Sequence, residues 1–373
     1  MNDGEICARH FATGQPVQIC WRDGIITEVS HANRENAPEY CVAPGLVDLQ
    51  VNGFGGIDFQ RDNLTLDDLL SASRQLRAAG CARFLLTLIT DEWPRLTARL
   101  RHLRALRSQS PELQRAIAGW HIEGPFLSSE PGFHGAHNPD WMLDPSPARM
   151  QELRAITGGD PLLLTLAPER AGAIDAIKLA VSLGIKISLG HTNATTAQLR
   201  EAVAAGATGF THLANGCPRE LDRHDNIILR VLDTPGITIS MIPDGIHVSP
   251  AMFRLIHRSR DFKAIYYTTD AMSAAGAPPG RYTLGALEAE VCEDQIVRQP
   301  GKTNFAGSAL RPIDGVFRVA EMLNCPWHEA WSRFSIAPAQ FMDLPTSLEV
   351  GSPADFCLLK FGADNRLTEL KTN

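Results

Sequence analysis

Through most of this chain, short and continuously apolar runs alternate with longer segments whose apolar residues recur every three or four positions. The runs of the first kind cover residues 45–51, 84–89, 117–122, 162–166, 185–189, 209–213, 237–242 and 264–268. Unbroken apolar character over such short lengths predicts strands buried on both faces. Segments 66–79, 93–106, 171–183, 195–205 and 250–258 carry helical spacing instead, and Thr195 is placed as an N-cap. Strands that alternate with helices in eight β–α units predict a (β/α)8 TIM barrel. A doubly wound sheet would place G-x-G-x-x-G after its first strand. The stretch Asn52-Gly-Phe-Gly-Gly-Ile-Asp58 is glycine-rich but lacks the third glycine.

The two ends follow a different pattern. Residues 1–43 read as short strands, with 17–21 and 24–29 flanking a turn at Arg22-Asp23-Gly24. Residues 351–360 read as a strand entered through a turn. Neither end has enough apolar residues for a core of its own. They are therefore expected to pair into one small β-sandwich domain, 1–43 with 345–373, leaving 44–344 as the barrel. Residues 282–292 and 295–299 read as a β hairpin inserted after the eighth strand, near 278–304.

Composition narrows the function. With 44% hydrophobic and 21% charged residues the chain is neither disordered nor fibrous. Lys and Arg number 35 against 42 Asp and Glu, a net charge of -7 that leaves no basic face for nucleic acid. No apolar run is long enough to span a bilayer, and the first residues do not resemble a signal peptide, so the expected setting is cytoplasmic and away from membranes. The 8 cysteines are scattered without C-x-x-C spacing and are expected to be free buried thiols in a reducing compartment.

A barrel places its chemistry just past the C-terminal ends of its strands. Polar residues gather there: Gln50 and Asn52 after the first strand, His121 and Glu123 on the third, His191 on the fifth, His212 on the sixth, Asp244 and His247 after the seventh, and Asp270 after the eighth. Glu123, His191 and His212 form a three-ligand set that leaves a position for water, as a catalytic zinc site requires. Zinc suits such N/O ligands and iron is the alternative. Asp270 is then the general base, which later returns the proton to a leaving group. A single histidine at a strand end is ordinarily a hydrogen-bonded structural residue. Glu123, His191, His212 and Asp270 together, on strands three, five, six and eight, favour metal catalysis. His10, His31, His102, His257 and His328 fall outside strand ends and read as surface or helix residues. The arginines between 95 and 107 read as a solvated helix face. There is no G-x-S-x-G, Walker loop or H-E-x-x-H.

The motifs Pro44-Gly-Leu-Val-Asp-Leu-Gln-Val-Asn-Gly53, His121-Ile-Glu-Gly-Pro-Phe126, Gly190-His-Thr-Asn-Ala194, Thr211-His-Leu-Ala-Asn215, Asp244-Gly-Ile-His247, Thr269-Asp-Ala271 and Gly307-Ser-Ala-Leu310 resemble those of the N-acetylglucosamine-6-phosphate deacetylase family, in the amidohydrolase superfamily. They run in the right order along almost the whole barrel. The resemblance implies hydrolysis of the N-acetyl group of an amino-sugar phosphate, giving acetate and the free amine. It also implies Glu123, His191 and His212 as metal ligands, Asp270 as catalytic acid and base, and His137 as the group that helps polarise the acetyl carbonyl. Asn215, Gly216, Arg223 and His247 match positions that hold the sugar phosphate. In related enzymes the arginine can come from the partner subunit, so a homodimer is implied.

One loop departs from the family. Where an Arg-Glu-Pro-Gly stretch is common, this chain reads Pro218-Arg-Glu-Leu-Asp-Arg-His-Asp-Asn226. Arg219 and His224 become further cationic candidates, while Asp222 and Asp225 are unexpected beside a phosphate. Arg223 can also be read as a surface partner of those aspartates. The alternatives to N-acetylglucosamine 6-phosphate are N-acetylgalactosamine 6-phosphate, another amidohydrolase substrate, or a non-catalytic barrel subunit. Many amidohydrolases carry His-x-His at the end of the first strand. Here Gln50-Val-Asn52 stands there, so one divalent ion per chain is expected and not two. Gln50 and Asn52 are left to contact the water, the substrate or the neighbouring loop.

Overall fold

The computed structural model describes residues 3–32, 39–300 and 305–373. Parts of the expected terminal domain (residues 1–2 and 33–38) and of the expected hairpin (301–304) lie outside the described residues.

Eight parallel strands form the central sheet: Leu46–Val51, Cys81–Ile89, Ile117–Glu123, Leu162–Leu166, Lys186–Leu189, Gly209–Phe210, Thr238–Met241 and Ile265–Tyr267. They pair in chain order from first to eighth, and a parallel bridge between Val51 and Ala271 brings the ends of the ring together. This is the (β/α)8 arrangement. Each strand lies within a few residues of the run that predicts it, because buried parallel strands are the shortest and most uniformly apolar pieces of the chain. A buried carboxylate braces the closure. Asp48 of the first strand accepts hydrogen bonds from the hydroxyls of Thr268 and Thr269 and from the Thr269 backbone. Burial pushes Asp48 up to about 6, against the pull of those donors.

Helices Leu66–Ala78, Trp93–Ser108, Ala173–Ser182, Thr196–Ala204 and Pro250–Ser259 occupy the segments with helical spacing. Thr195 caps its helix in a reciprocal capping box with Gln198. Helices Pro147–Thr157, Ile227–Asp233, Pro312–Leu323 and Trp327–Phe334 were not among those expected.

Both ends of the chain meet in one six-stranded sheet. Phe356–Phe361 pairs antiparallel with Leu367–Thr372 on one side and with Cys41–Pro44 on the other, and Gly4–His10, Pro16–Arg22 and Ile25–His31 follow. The hairpin of Pro16–Arg22 and Ile25–His31 turns at Asp23 and Gly24, both with positive φ. The insertion after the eighth strand departs from the expected two-armed hairpin. Gly285, at φ 61°, breaks the first arm into Gly280–Leu284 and Leu287–Val291, and Val297–Arg298 adds a third strand. Asp58 holds that turn through the Thr283 hydroxyl and the Gly285 backbone.

Two further expectations are corrected. The arginine helix is not uniformly solvated: Arg99 has a side chain only 2% exposed, clamped by Asp62 and Asp91. Arg104 and Arg107 share Asp160. Helical spacing places these arginines on more than one face, and neighbouring acids make burial of the inner one affordable. All the cysteines are free, but only Cys81 and Cys357 are buried. No helix among the described residues is long and apolar enough to cross a membrane.

Candidate active site

The C-terminal ends of the barrel strands converge on one cluster. Glu123, His191 and His212 are all buried, and one ligand atom from each lies within 4.8 Å of the others. His212 Nε2 stands 2.8 Å from Glu123 Oε1, and His191 Nε2 stands 3.4 Å from the same oxygen. His137, which the loop after the third strand supplies, reaches within 3.7 Å of Glu123 Oε2. The His191 ring lies edge-on between those of His137 and His212.

The backbone is unusual at these residues. His191, His212 and Asp270 all have positive φ, 49°, 32° and 51°, although none is glycine. Such conformations cost about 1–3 kcal/mol each and cluster at functional sites. Gly216 (φ 59°) also serves by lacking a side chain, since a Cβ there would stand 2.7 Å from His191 Nδ1.

The donor set fits a divalent cation. His191 Nδ1 faces the Phe133 carbonyl at 2.9 Å. That carbonyl can only accept, so the proton sits on Nδ1 and the Nε2 lone pair faces a carboxylate oxygen. Two acceptors turned toward each other call for a cation between them. His212 adds a second imidazole, whose Nδ1 is buried with no hydrogen-bond partner among the described residues. Burial alone would raise Glu123, but the His212 hydrogen bond and the imidazoles around it hold it well below the usual carboxylate range. Burial alone would lower His212, and Glu123 with Asp270 draws it up. The cluster sets one ionised carboxylate among imidazoles, the donor types of a site with three protein ligands.

Asp270 lies beside the cluster. Burial, then the charge of Glu123, pushes it up to about 7, against His212, His247 and a hydrogen bond from Asn52. Asn52 donates to Asp270 Oδ1 at 2.7 Å and Gln50 donates to the same atom at 3.0 Å. Gln50 also donates to Glu123 Oε1 at 3.0 Å. The carboxamides of the first strand thus hold the two carboxylates, a role that their sequence positions did not reveal. Thr90 is a residue that sequence reasoning missed. Its hydroxyl meets His137 Nδ1 at 2.9 Å. Burial lowers His137 to about 3, so its ring is neutral.

A cavity of about 540 Å³ opens over this cluster and runs to the loop after the sixth strand. Asn52, His137, Asn215, Gly216, Arg219, His247 and Asp270 all line it. His247 donates to or shares a proton with Asp244 at 2.6 Å and packs against Phe305. Of the expected substrate residues, Asn215, Gly216 and His247 come together here. Arg223 is exposed on the loop and is not among the residues that line the cavity of its own chain, whereas Arg219 is.

A (β/α)8 barrel with one carboxylate, two imidazoles and an aspartate at its C-terminal mouth defines an amidohydrolase. No protein-family model matches the chain. It is 32% identical over 335 residues to the N-acetylglucosamine-6-phosphate deacetylase of Vibrio furnissii, covering 87% of this chain and 82% of that protein. The N-acetylgalactosamine-6-phosphate deacetylase of Escherichia coli O157:H7 is 29% identical over 352 residues, 92% of this chain and 91% of that one. An aspartate-to-alanine mutant of N-acetyl-D-glucosamine-6-phosphate deacetylase from Mycobacterium smegmatis, solved in complex with N-acetyl-D-glucosamine-6-phosphate, superposes with a TM-score of 0.87 at 28% identity, covering 100% of this chain and 99% of that one. The chain belongs to the N-acetylglucosamine-6-phosphate deacetylase family.

Proposed function

We propose that the protein hydrolyses the acetamide of N-acetylglucosamine 6-phosphate to glucosamine 6-phosphate and acetate. The observation that carries this reading is the cluster of Glu123, His191 and His212 with Asp270 alongside, at one end of a cavity whose other end holds Asn215, Gly216 and Arg219. One divalent ion, zinc or iron, held by Glu123, His191 and His212, supplies Lewis-acid activation of water and of the amide carbonyl when bound.

The chain's own residues do the rest. Asn52 and Gln50 fix Asp270 by one oxygen, and no hydrogen bond among the described residues occupies the other. That oxygen takes a proton from the attacking water and gives it to the departing amine. The Thr90 hydroxyl meets Nδ1, and in the tautomer with its proton on Nε2 neutral His137 donates to the acetyl oxygen as negative charge develops there. The Gly216 backbone and the Asn215 side chain, together with His247, hold the sugar phosphate. Arg219 meets its charge from within the chain. Arg223 serves from a neighbouring subunit in a homodimer, as the family resemblance implies. Residues 1–43 and 345–373 act as a small β domain beside the catalytic barrel of 44–344, in a cytoplasmic enzyme.

The likeness to an N-acetylgalactosamine-6-phosphate deacetylase favours a second reading, the C4 epimer as substrate. Acetate release from N-acetylglucosamine 6-phosphate, from its galacto epimer and from unphosphorylated N-acetylglucosamine separates the two. Faster turnover of the gluco phosphate is expected. Preference for the galacto epimer overturns the first reading, and indifference to phosphate overturns both.

A further inference from the structure

Behind His137, on the side away from the sugar loop, lies a second cavity of about 710 Å³. The two cavities share Ile89, Gly135, Ala136, His137 and Leu284 in their walls. The second one is built on residues that follow the second barrel strand and is roofed by the turn of the inserted sheet, where Leu287 lines it and does not line the first. In the barrel's strand order the second and sixth strands stand on opposite sides of the ring. The sugar end of the catalytic cavity follows the sixth strand. The ligand cluster and His137 therefore lie between the sugar end and the second cavity.

A secondary amide is planar and trans, so its two carbon substituents point in opposite directions from the C–N bond. With the carbonyl oxygen at His137 and the sugar toward Arg219, the acyl carbon is directed at the second cavity. We propose that this cavity is an acyl compartment, and that the enzyme also deacylates amino-sugar phosphates whose N-acyl chain is longer than acetyl. This rests on the reading of the sugar side given above. The reaction is the same hydrolysis: the amide C–N bond breaks, water oxygen joins the acyl carbon, and a carboxylate and a free amine leave.

The walls select the chain's chemistry. Ile89, Ala136, Trp141, Leu284 and Leu287 offer apolar surface. Arg95 and Arg99, also on the wall, are already paired with Asp62 and Asp91. These compensated pairs and the apolar wall suit a neutral chain of three or four carbons, with Arg61 exposed on the same wall outside those pairs.

The test is kcat/KM of the metal-loaded enzyme for N-acetyl-, N-propionyl- and N-butyrylglucosamine 6-phosphate. A pocket closed behind the acetyl methyl rejects each added methylene by ~10-fold or more. An open compartment keeps the butyryl substrate within ~10-fold of the acetyl one. Leu287→Trp, filling the second cavity alone, is expected to depress butyryl turnover selectively. A butyryl loss beyond ~10-fold with good acetyl turnover, or an equal effect of Leu287→Trp on all three, overturns the inference. Failure to hydrolyse any acetylated phosphosugar condemns the sugar reading instead. Trp141 keeps the compartment testable in that event: N-butyrylglucosamine 6-phosphate must change the fluorescence of Asp270→Asn and not that of its Trp141→Phe derivative, and no change overturns the assignment.

Discussion

Replacing Asn52 with alanine removes the 2.7 Å hydrogen bond to Asp270 Oδ1 and leaves the Gln50 bond to the same atom. The lost donor serves the ionised carboxylate, and a hydrogen bond to a charged group contributes ~1.5–3 kcal/mol. At 1.36 kcal/mol per pKa unit, that raises Asp270 by about one to two units. The starting point is already high, because burial and the charge of Glu123 hold Asp270 up to about 7. A bound cation draws wild type and variant down alike, so the difference between them is the quantity to read. The sign follows from the role. Asp270 must be ionised to accept a proton, so kcat/KM rises with pH through its pKa. A higher pKa moves that acid limb to higher pH. On the acid side the variant should be ~10- to 100-fold slower, and at high pH the two should converge. The assay is kcat/KM for acetate release across pH, with metal content and thermal stability measured on both proteins. An acid limb that stays in place, or an equal loss at every pH, would refute the view that Asn52 acts by stabilising the Asp270 carboxylate.

Asp270→Asn keeps the shape but cannot carry a proton, so turnover should fall by at least ~10²-fold while metal stays bound, and activity within a few-fold of wild type removes it from the mechanism. Thr90→Val takes the hydroxyl from His137 Nδ1; kcat should drop with little change in KM, whereas a pure KM effect would place Thr90 outside the carbonyl chemistry. Arg219→Ala should raise KM for the phosphorylated sugar more than it lowers kcat, and the defect should shrink on the unphosphorylated sugar; an equal defect on both makes Arg219 structural. Protein purified without chelator should hold one ion per chain, and Glu123→Gln should lose it; two ions per chain, with activity tracking the second, would contradict the single-ion cluster.

The barrel was legible because it rests on local patterns. Strands buried on both faces have to be apolar throughout, and the polar residues that interrupt them at their C-terminal ends mark the mouth. Glu123, His191 and His212 could be grouped from position alone, since every strand of a barrel delivers its last residues to the same place. The Gly285 turn was missed because residues 282–292 alternate well enough to pass for one strand. Arg99 was missed because a helix period does not say where an acid such as Asp62 or Asp91 will fold to meet it.

By itself, then, the sequence determined the kind of barrel and the grouping of Glu123, His191 and His212 with Asp270 beside them, through periodicity and residue type. Ring closure decided the rest. It sets the first strand against the eighth, and only that makes Gln50 and Asn52 the partners of Asp270. The path of the 218–226 loop put Arg219 against the cavity and left Arg223 exposed, a choice between two arginines that their spacing could not make. The second cavity likewise exists only where the second strand, the His137 loop and the inserted sheet converge from distant parts of the chain. Contacts of that kind depend on where chain segments end up in space, and no local pattern records them.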